Sequence, residues 1–338
     1  MHIGLSLTPF GHHPSAWRRK SGERAALDFG RMAAQVKKAE AGALDFVLLP
    51  DQFGQRPHDD LSPLAVPFEP TMLVSALATA TSRIGLIAAA AMHQHEPYNL
   101  GRRFASLDLI GEGRTGWNVI GSDDPDRDQE YLDVVSGLWD SFEADAFTYD
   151  KARGRFFDPD KMHVLNHKGT HFTVRGPLNV NPSPQGRPVI SHVLTPDTLD
   201  IAALADVVFL PGATPDALKA LAASLVERLA TRGRRREDVR FFANIIPSFG
   251  TSQSDVPHGF AVIGTASNIA DQMQEQAAAA GLDGFVVLSP IEPEGVISFV
   301  DEVIPELRRR GVFRRAYDTT TLHGHLGLAR PVRLERAS

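Results

Sequence analysis

The chain carries 13 histidines and no cysteine, so its chemistry falls to imidazoles, carboxylates, hydroxyls or a bound cofactor. The absence of cysteine excludes disulfides, thiolate zinc sites, iron–sulfur clusters and a thiol nucleophile. Two histidine groups stand out by spacing: His12-His13, and His93 with His95. Imidazole is the commonest metal ligand, and alternate residues of an extended segment face one way. No H-E-x-x-H or carboxylate-rich pattern accompanies them, so a metal-dependent hydrolase using His12, His93 and His95 is only a distant third reading. No G-x-S-x-G elbow supports a serine nucleophile, and no Gly-rich phosphate loop is evident. Asp51 directly follows an apolar run and reads equally as a turn residue or a ligand contact. Asn118, Ser122 and His192 also lie at the ends of apolar runs. His163, His167, His171, His323 and His325 are scattered through loop-like sequence and read as surface or packing residues. The basic run 232–236 reads as a solvated helix end.

The elements that must position these residues alternate along the chain. Eight short apolar or β-branched runs occur: Ile3–Leu7, Asp45–Leu49, Ile84–Ala90, Trp117–Ile120, Val189–Val193, Val207–Leu210, Arg240–Ile246 and Phe285–Leu288. Seven are followed by stretches with apolar residues at helical spacing, such as Leu218, Leu221, Leu225 and Leu229. Thr195-Pro196 and Thr214-Pro215 read as N-cap and N1 pairs, and Gly42 and Gly311 as helix stops. Eight strand signals, seven of them followed by helical stretches, predict an α/β fold, a (β/α)8 TIM barrel, ahead of a doubly wound open sheet that lacks its G-x-G-x-x-G. One domain is expected over 1–330, with a tail at 331–338. A hairpin-like insertion at 143–187 falls between the fourth and fifth barrel strands, where Phe172 and Val174 alternate with polar neighbours.

In such a barrel the loops after each strand form the functional face, which gathers His12, His13, Asp51, His93, His95, Asn118, Ser122 and His192 at one end. Phe10, Trp17, Phe53, Phe249 and Phe260 are candidates to line its mouth. The formal charge of −6 argues against a nucleic-acid partner. The longest uncharged apolar run, Ile84 to Met92, is too short to span a bilayer. The first ten residues lack the basic start of a secretory signal, so a cytoplasmic location is expected.

Several motifs carry a resemblance. They include Gly11-His12-His13-Pro14 with Ala16-Trp17-Arg18, Asp45-Phe46-Val47 leading to Asp51-Gln52, and Glu96-Pro97-Tyr98. Further on are Gly113-Arg114-Thr115-Gly116-Trp117-Asn118-Val119, Asn166-His167-Lys168-Gly169, and Val303-Ile304-Pro305-Glu306-Leu307. Together they resemble the bacterial luciferase-like flavin monooxygenases, in the branch of nitrilotriacetate, dibenzothiophene sulfone and pristinamycin-type enzymes. The resemblance runs to about Leu328. It implies a TIM barrel that takes reduced FMN from a separate NAD(P)H-dependent flavin reductase, reacts with O₂ through a flavin C4a-peroxide, and oxygenates a small-molecule substrate. It also implies a homodimer. Carried onto this chain, the resemblance makes His12 and His13 the proton donor or peroxide partner. Asp51, Ala89, Ala91, Asn118, Ser122 and His192 become the flavin-side positions.

The departures from the family pattern are local. Relatives end the third strand with hydroxyls, where this chain has Ala88-Ala89-Ala90-Ala91-Met92. After the fourth strand only 123–128 separate Ser122 from the next helix, and that stretch is acidic enough to repel a phosphate. A small Ala-Gly-Ser-Ser-like turn after the fifth strand is replaced by Ser191-His192-Val193-Leu194-Thr195-Pro196-Asp197. The long insertion after the seventh strand is nearly absent. Two readings follow. One is a monooxygenase with weakened FMN binding and an open mouth suited to a bulky aromatic, secondary-metabolite-like substrate. The other is a flavin-poor relative, acting as a non-catalytic partner subunit or a cofactor-independent biosynthetic barrel.

Overall fold

A computed structural model describes residues 1–18, 28–51, 68–212, 214–250 and 259–331. Its strands are β1 (His2–Ser6), β2 (Phe46–Leu49), β3 (Gly85–Ala91), β4 (Thr115–Ile120), β5 (His167–Lys168), β6 (Thr173–Val174), β7 (Val189–Val193), β8 (Val207–Leu210), β9 (Arg240–Phe249), β10 (Phe260–Gly264) and β11 (Gly284–Leu288). The order β9-β11-β1-β2-β3-β4-β7-β8 is parallel throughout, and the β8–β9 pairing closes it into a barrel. Each barrel strand falls on one of the eight apolar runs. β10 adds a parallel partner to the outer half of β9, from Ile245 to Phe249. Its local sequence signal is weak, because only four residues between Gly259 and Gly264 mark it.

The helices are α1 (Phe29–Ala41), α2 (Pro70–Ala80), α3 (Pro97–Ile110), α4 (Pro125–Trp139), α5 (Leu199–Ala202), α6 (Pro215–Thr231), α7 (Ala266–Ala280), α8 (Glu294–Ser298), α9 (Ile304–Arg309) and α10 (Leu322–His325). Proline occupies the first turn of α2, α3, α4 and α6, where its missing N–H has no intrahelical acceptor to lose. Of the α6 stripe, Leu218, Leu225 and Leu229 are buried, while Leu221 sits at its margin.

Strand parity separates two apolar cores. Ile3, Leu5, Val47, Leu86, Trp117, Val119, Ile190, Val208 and Val287 face the helices. Their neighbours Phe46, Leu48, Ile87, Val189, Phe209, Phe242, Val286 and Leu288 fill the barrel. Phe46, Phe209 and Phe242 form a triangle of rings with centroids 5.3 to 6.2 Å apart. Burying each ring contributes roughly 1.5–3 kcal/mol. Gly4 makes that packing possible, since a Cβ there would lie 2.3 Å from the Phe46 ring. Leu322 and Leu326, from α10 and its end, close the bottom of the barrel.

His323 and His325 are packing residues on α10 rather than loop residues. His323 Nδ1 lies 3.0 Å from Gln185 Oε1, and Gln185 Nε2 donates to Asp108 at 2.8 Å. Burial raises the Asp108 carboxyl to about 6, against the opposing hydrogen bonds of Ser183, Thr115 and Gln185. In the 143–187 insertion, β5 and β6 form an antiparallel hairpin. Stretch 163–165 lies outside any strand. The hairpin is pinned to α4 by Glu130, which accepts from His167 Nε2 (2.8 Å) and from the N–H groups of His171 and Phe172. Burial opposes ionisation of Glu130, yet these donors bring it down to about 2. The insertion is therefore fastened to the outer side of the helix layer. Of the 331–338 tail, only Pro331 lies within the described residues.

Candidate active site

Above the ring triangle the barrel interior turns polar. Parity directs Ser6, Ala89, Ala91, Asn118, Ser191 and Asn244 inward, because the apolar residues adjacent to them on their strands pack into the outer core against the helices. Register sets Ala89, Asn118 and Ser191 side by side across β3, β4 and β7. The Ser191 hydroxyl donates to Asn118 Oδ1 at 3.2 Å. That bond spends the amide oxygen and leaves the Asn118 NH₂ group without a partner among the described residues. Asn118 is 7 % exposed, so this donor pair opens on the lumen rather than on bulk water. Ala89 and Ala91 keep the adjoining wall flat and apolar.

Sequence reasoning passed over Ser191 and Ser6 as site residues. The signal was available, since Ser191 shares the parity of Val189 in the inner core. The histidine beside it drew attention instead.

His192 turns the other way. Its Nδ1 lies 2.9 Å from the Val119 carbonyl, its Nε2 is buried without a partner, and Asp128 of α4 is its charged neighbour. Burial lowers its pKa, with the Val119 hydrogen bond and Asp128 opposing. Ser122 belongs to the same cluster. Its N–H and hydroxyl both donate to Asp128, the hydroxyl at 2.9 Å. Both residues were expected on the flavin side; in the structure Ser122 bonds to Asp128 of α4, and the His192 ring bonds to the Val119 carbonyl on the helix side of β7. At a strand end, a shift of one residue exchanges lumen for helix layer.

His12 and His13 also part company. The His12 ring folds back so that Nε2 lies 3.0 Å from the Ser6 carbonyl, which makes Nε2 the protonated nitrogen and Nδ1 the basic one. Burial lowers the His12 pKa, against the pull of that hydrogen bond, so the ring is neutral near pH 7. His13 Nδ1 accepts from the Ser15 N–H at 3.1 Å and lies 2.8 Å from its hydroxyl, leaving its Nε2–H as a donor. The pair thus presents one base and one donor.

Asp51 lies two residues past the end of β2 and is partly buried. Gln52 and Phe53 lie outside the described residues. Trp17, Val193 and Phe249 are 44, 42 and 38 % exposed on the functional face. Phe260, expected at the mouth, is 4 % exposed and packs into the outer core through β10. Burial lowers the His95 pKa, with Arg103 adding to the shift. Among the described residues no three His, Asp or Glu side chains gather to hold a metal.

The helix starts beside the site are closed by the chain itself. Asp124 caps α4 by accepting from the Arg127 N–H at 3.0 Å, and Asp126 and Asp128 lie in its first turn. The turn after β7 closes on Thr195 and Thr198, whose hydroxyls are 3.0 Å apart. At both starts the capping residues take up part of the N–H set, and at α4 the carboxylates of the cap and first turn would repel a phosphate.

The family profile described as luciferase-like monooxygenase matches residues 7–256. The chain belongs to that family. Like its relatives, this luciferase-like protein is an enzyme of the monooxygenase type. N-acetyl-S-(2-succino)cysteine monooxygenase of Bacillus subtilis (strain 168) is 32 % identical over 98 % of this chain and 97 % of its own length. Nitrilotriacetate monooxygenase component A of Aminobacter aminovorans is also 32 % identical, with the same coverage. The crystal structure of a long-chain alkane monooxygenase superposes with a TM-score of 0.89 at 25 % identity, covering 97 % of this chain and 95 % of that one. The Bacillus alignment spans 430 positions against 338 residues here, so at least 92 of them (430 minus 338) lack a counterpart in this chain. Among the helical elements, no helix of the described residues is long and apolar enough to cross a membrane.

Proposed function

We propose that this luciferase-like enzyme uses reduced FMN and O₂ to oxygenate a small organic molecule, with the flavin delivered by a separate reductase. The observation that carries the reading is the row Ala89–Asn118–Ser191: a flat apolar wall ending in an amide whose two donors are unspent. That row fits the ring of a flavin, whose polar edge offers carbonyl acceptors to Asn118 and whose flat body lies along Ala89 and Ala91. When bound, reduced FMN supplies the electrons that let one oxygen atom of O₂ enter the substrate while the other leaves as water.

The chain's own residues do the rest. Asn118, oriented by Ser191, sets the depth of the ring. His12, neutral and buried, accepts a proton through Nδ1, and His13 offers one from Nε2. Asp51 lies at the rim of the same face. Trp17, Val193 and Phe249 give that face an apolar surface suited to an aromatic or aliphatic substrate. The Aminobacter relative is a component A, which supports a two-component system.

The phosphate is where this chain differs. With both neighbouring helix starts capped, the ring supplies most of the affinity. Anaerobic titration with reduced FMN should saturate below millimolar concentration. Reduced riboflavin should bind within about fivefold of it, since the charge-assisted bonds that would favour FMN are missing at these two loops. No saturable binding of either flavin would overturn the reading and favour a flavin-poor relative.

A further inference from the structure

Three backbone hydrogen bonds tie the loop after β1 to the loop after β11. The His12 N–H donates to the Ser289 carbonyl (2.8 Å), the His13 N–H to Pro290 (3.0 Å), and the Glu292 N–H to Phe10 (2.8 Å). The two loops run so close that a Cβ on Gly11, which sits at φ 105°, would lie 2.5 Å from the Pro290 carbonyl oxygen. Whatever holds the β11 loop therefore sets where His12 stands.

Glu292 holds it. The residue is 2 % exposed, and its carboxyl faces α1, where Gln35 Nε2 donates to Oε2 at 3.1 Å. The Arg31 guanidinium donates to the Glu292 main-chain carbonyl. The hydrogen-bond inventory then fails to close. Glu292 Oε1 and Gln35 Oε1 are both buried acceptors without a partner. An ionised carboxylate has nothing to donate, so it leaves both oxygens unsatisfied, at a cost of about 1–3 kcal/mol for each. A carboxylic acid carries the missing O–H. It can donate to Gln35 Oε1 while Gln35 Nε2 donates back, which completes a two-bond acid–amide pair.

We propose that Glu292 is held as a neutral acid paired with Gln35, and that this pair is the positioning element that seats His12 at the mouth of the barrel. Burial pushes the Glu292 carboxyl up to about 8 and Glu294 adds to the shift, against the nearby donors of Ser289, Val296 and Gln35; among the described residues Gln35 alone closes a hydrogen bond on the carboxyl, since the Ser289 hydroxyl donates to the Ile291 carbonyl. Among the described residues, the charged groups facing it are Arg31 from α1 and Glu294 from its own loop. From the β1 loop, His12 and His13 approach through their main chains. The pairing stands whether or not the mouth takes a flavin.

A carboxyl whose folded pKa is raised keeps its proton after the unfolded chain has lost its own. Its contribution to stability is complete below about pH 4.5 and is lost as pH rises through about 8. The first test needs no variant. In wild-type protein with ¹³C-labelled glutamate carboxyls, one resonance should titrate near pH 8, and a set that all titrate below 6 would overturn the proposal. Denaturant unfolding then compares wild type with Glu292→Gln, whose amide stays neutral. Between about pH 5 and 8 the wild-type folding constant should fall relative to the variant by up to about tenfold per pH unit, and parallel curves would contradict it. The positioning half is read at His12. Its imidazole proton signal and titration should be kept in Glu292→Gln and displaced in Glu292→Ala. An unchanged His12 signal in the alanine variant would refute that half.

Discussion

Around β4 and β7 lie two polar clusters, one on the lumen side and one against α4, with Ser191 and His192 adjacent in sequence but on opposite faces of β7. On the lumen face, Asn118 and Ser191 share one hydrogen bond and leave two amide donors unspent. On the helix face, Ser122 is bound twice by Asp128, and His192 is bound to Val119. The same residue types thus serve different ends. The helix-side donors are consumed in holding the top of β4 onto α4, whereas the lumen side keeps donors available for a ligand. An unspent, sheltered donor on a rigid strand is the better mark of a binding residue than a histidine at a strand end.

The comparison breaks most visibly at Asp128. Replacing Asp128 by Ala removes the acceptor of the part-buried N–H and hydroxyl of Ser122, and should lower unfolding stability by about 1–3 kcal/mol. Flavin affinity of the folded fraction should stay within twofold. A larger loss of affinity would show that the helix-side cluster reaches the ligand. His12 sharpens the contrast through pH. Its pKa is depressed from the ordinary 6.5, so the stability it contributes is present above that value and lost as pH falls through the folded pKa. Turnover should fall on the same acid side as Nδ1 is protonated. His12→Gln should flatten the acid limb of stability, and a limb that persists unchanged would place its origin elsewhere. The smallest effect is expected at His192. His192→Leu gives up one hydrogen bond but also removes a buried orphan nitrogen, so stability should move by less than about 1 kcal/mol.

The barrel was legible because its strands are short runs buried on both faces and bounded by caps that the sequence spells out, such as Thr214-Pro215. The excursion at 143–187 was legible from its broken rhythm. The site was legible only in part. Residue type and strand number pick out Asn118, whose side chain the structure bonds to Ser191 on the lumen side, whereas Ser122 and His192 bond to Asp128 and to the Val119 carbonyl, partners that nothing local in the sequence announces. Glu292, in the Ile-Glu-Pro-Glu-Gly stretch, reads as a solvated loop, since nothing local tells of the α1 side chain that buries it. β10 is likewise a product of pairing, because Phe260 to Gly264 extends only where β9 offers an edge.

The most direct test of the account is one anaerobic titration series with reduced FMN on wild type, Asn118→Ala and His192→Leu. The account predicts that the loss of the Asn118 donors weakens binding about 5- to 30-fold, while the His192 variant binds within twofold of wild type. Equal affinities for Asn118→Ala and wild type, or a loss confined to His192→Leu, would contradict the assignment of the lumen face as the ligand wall.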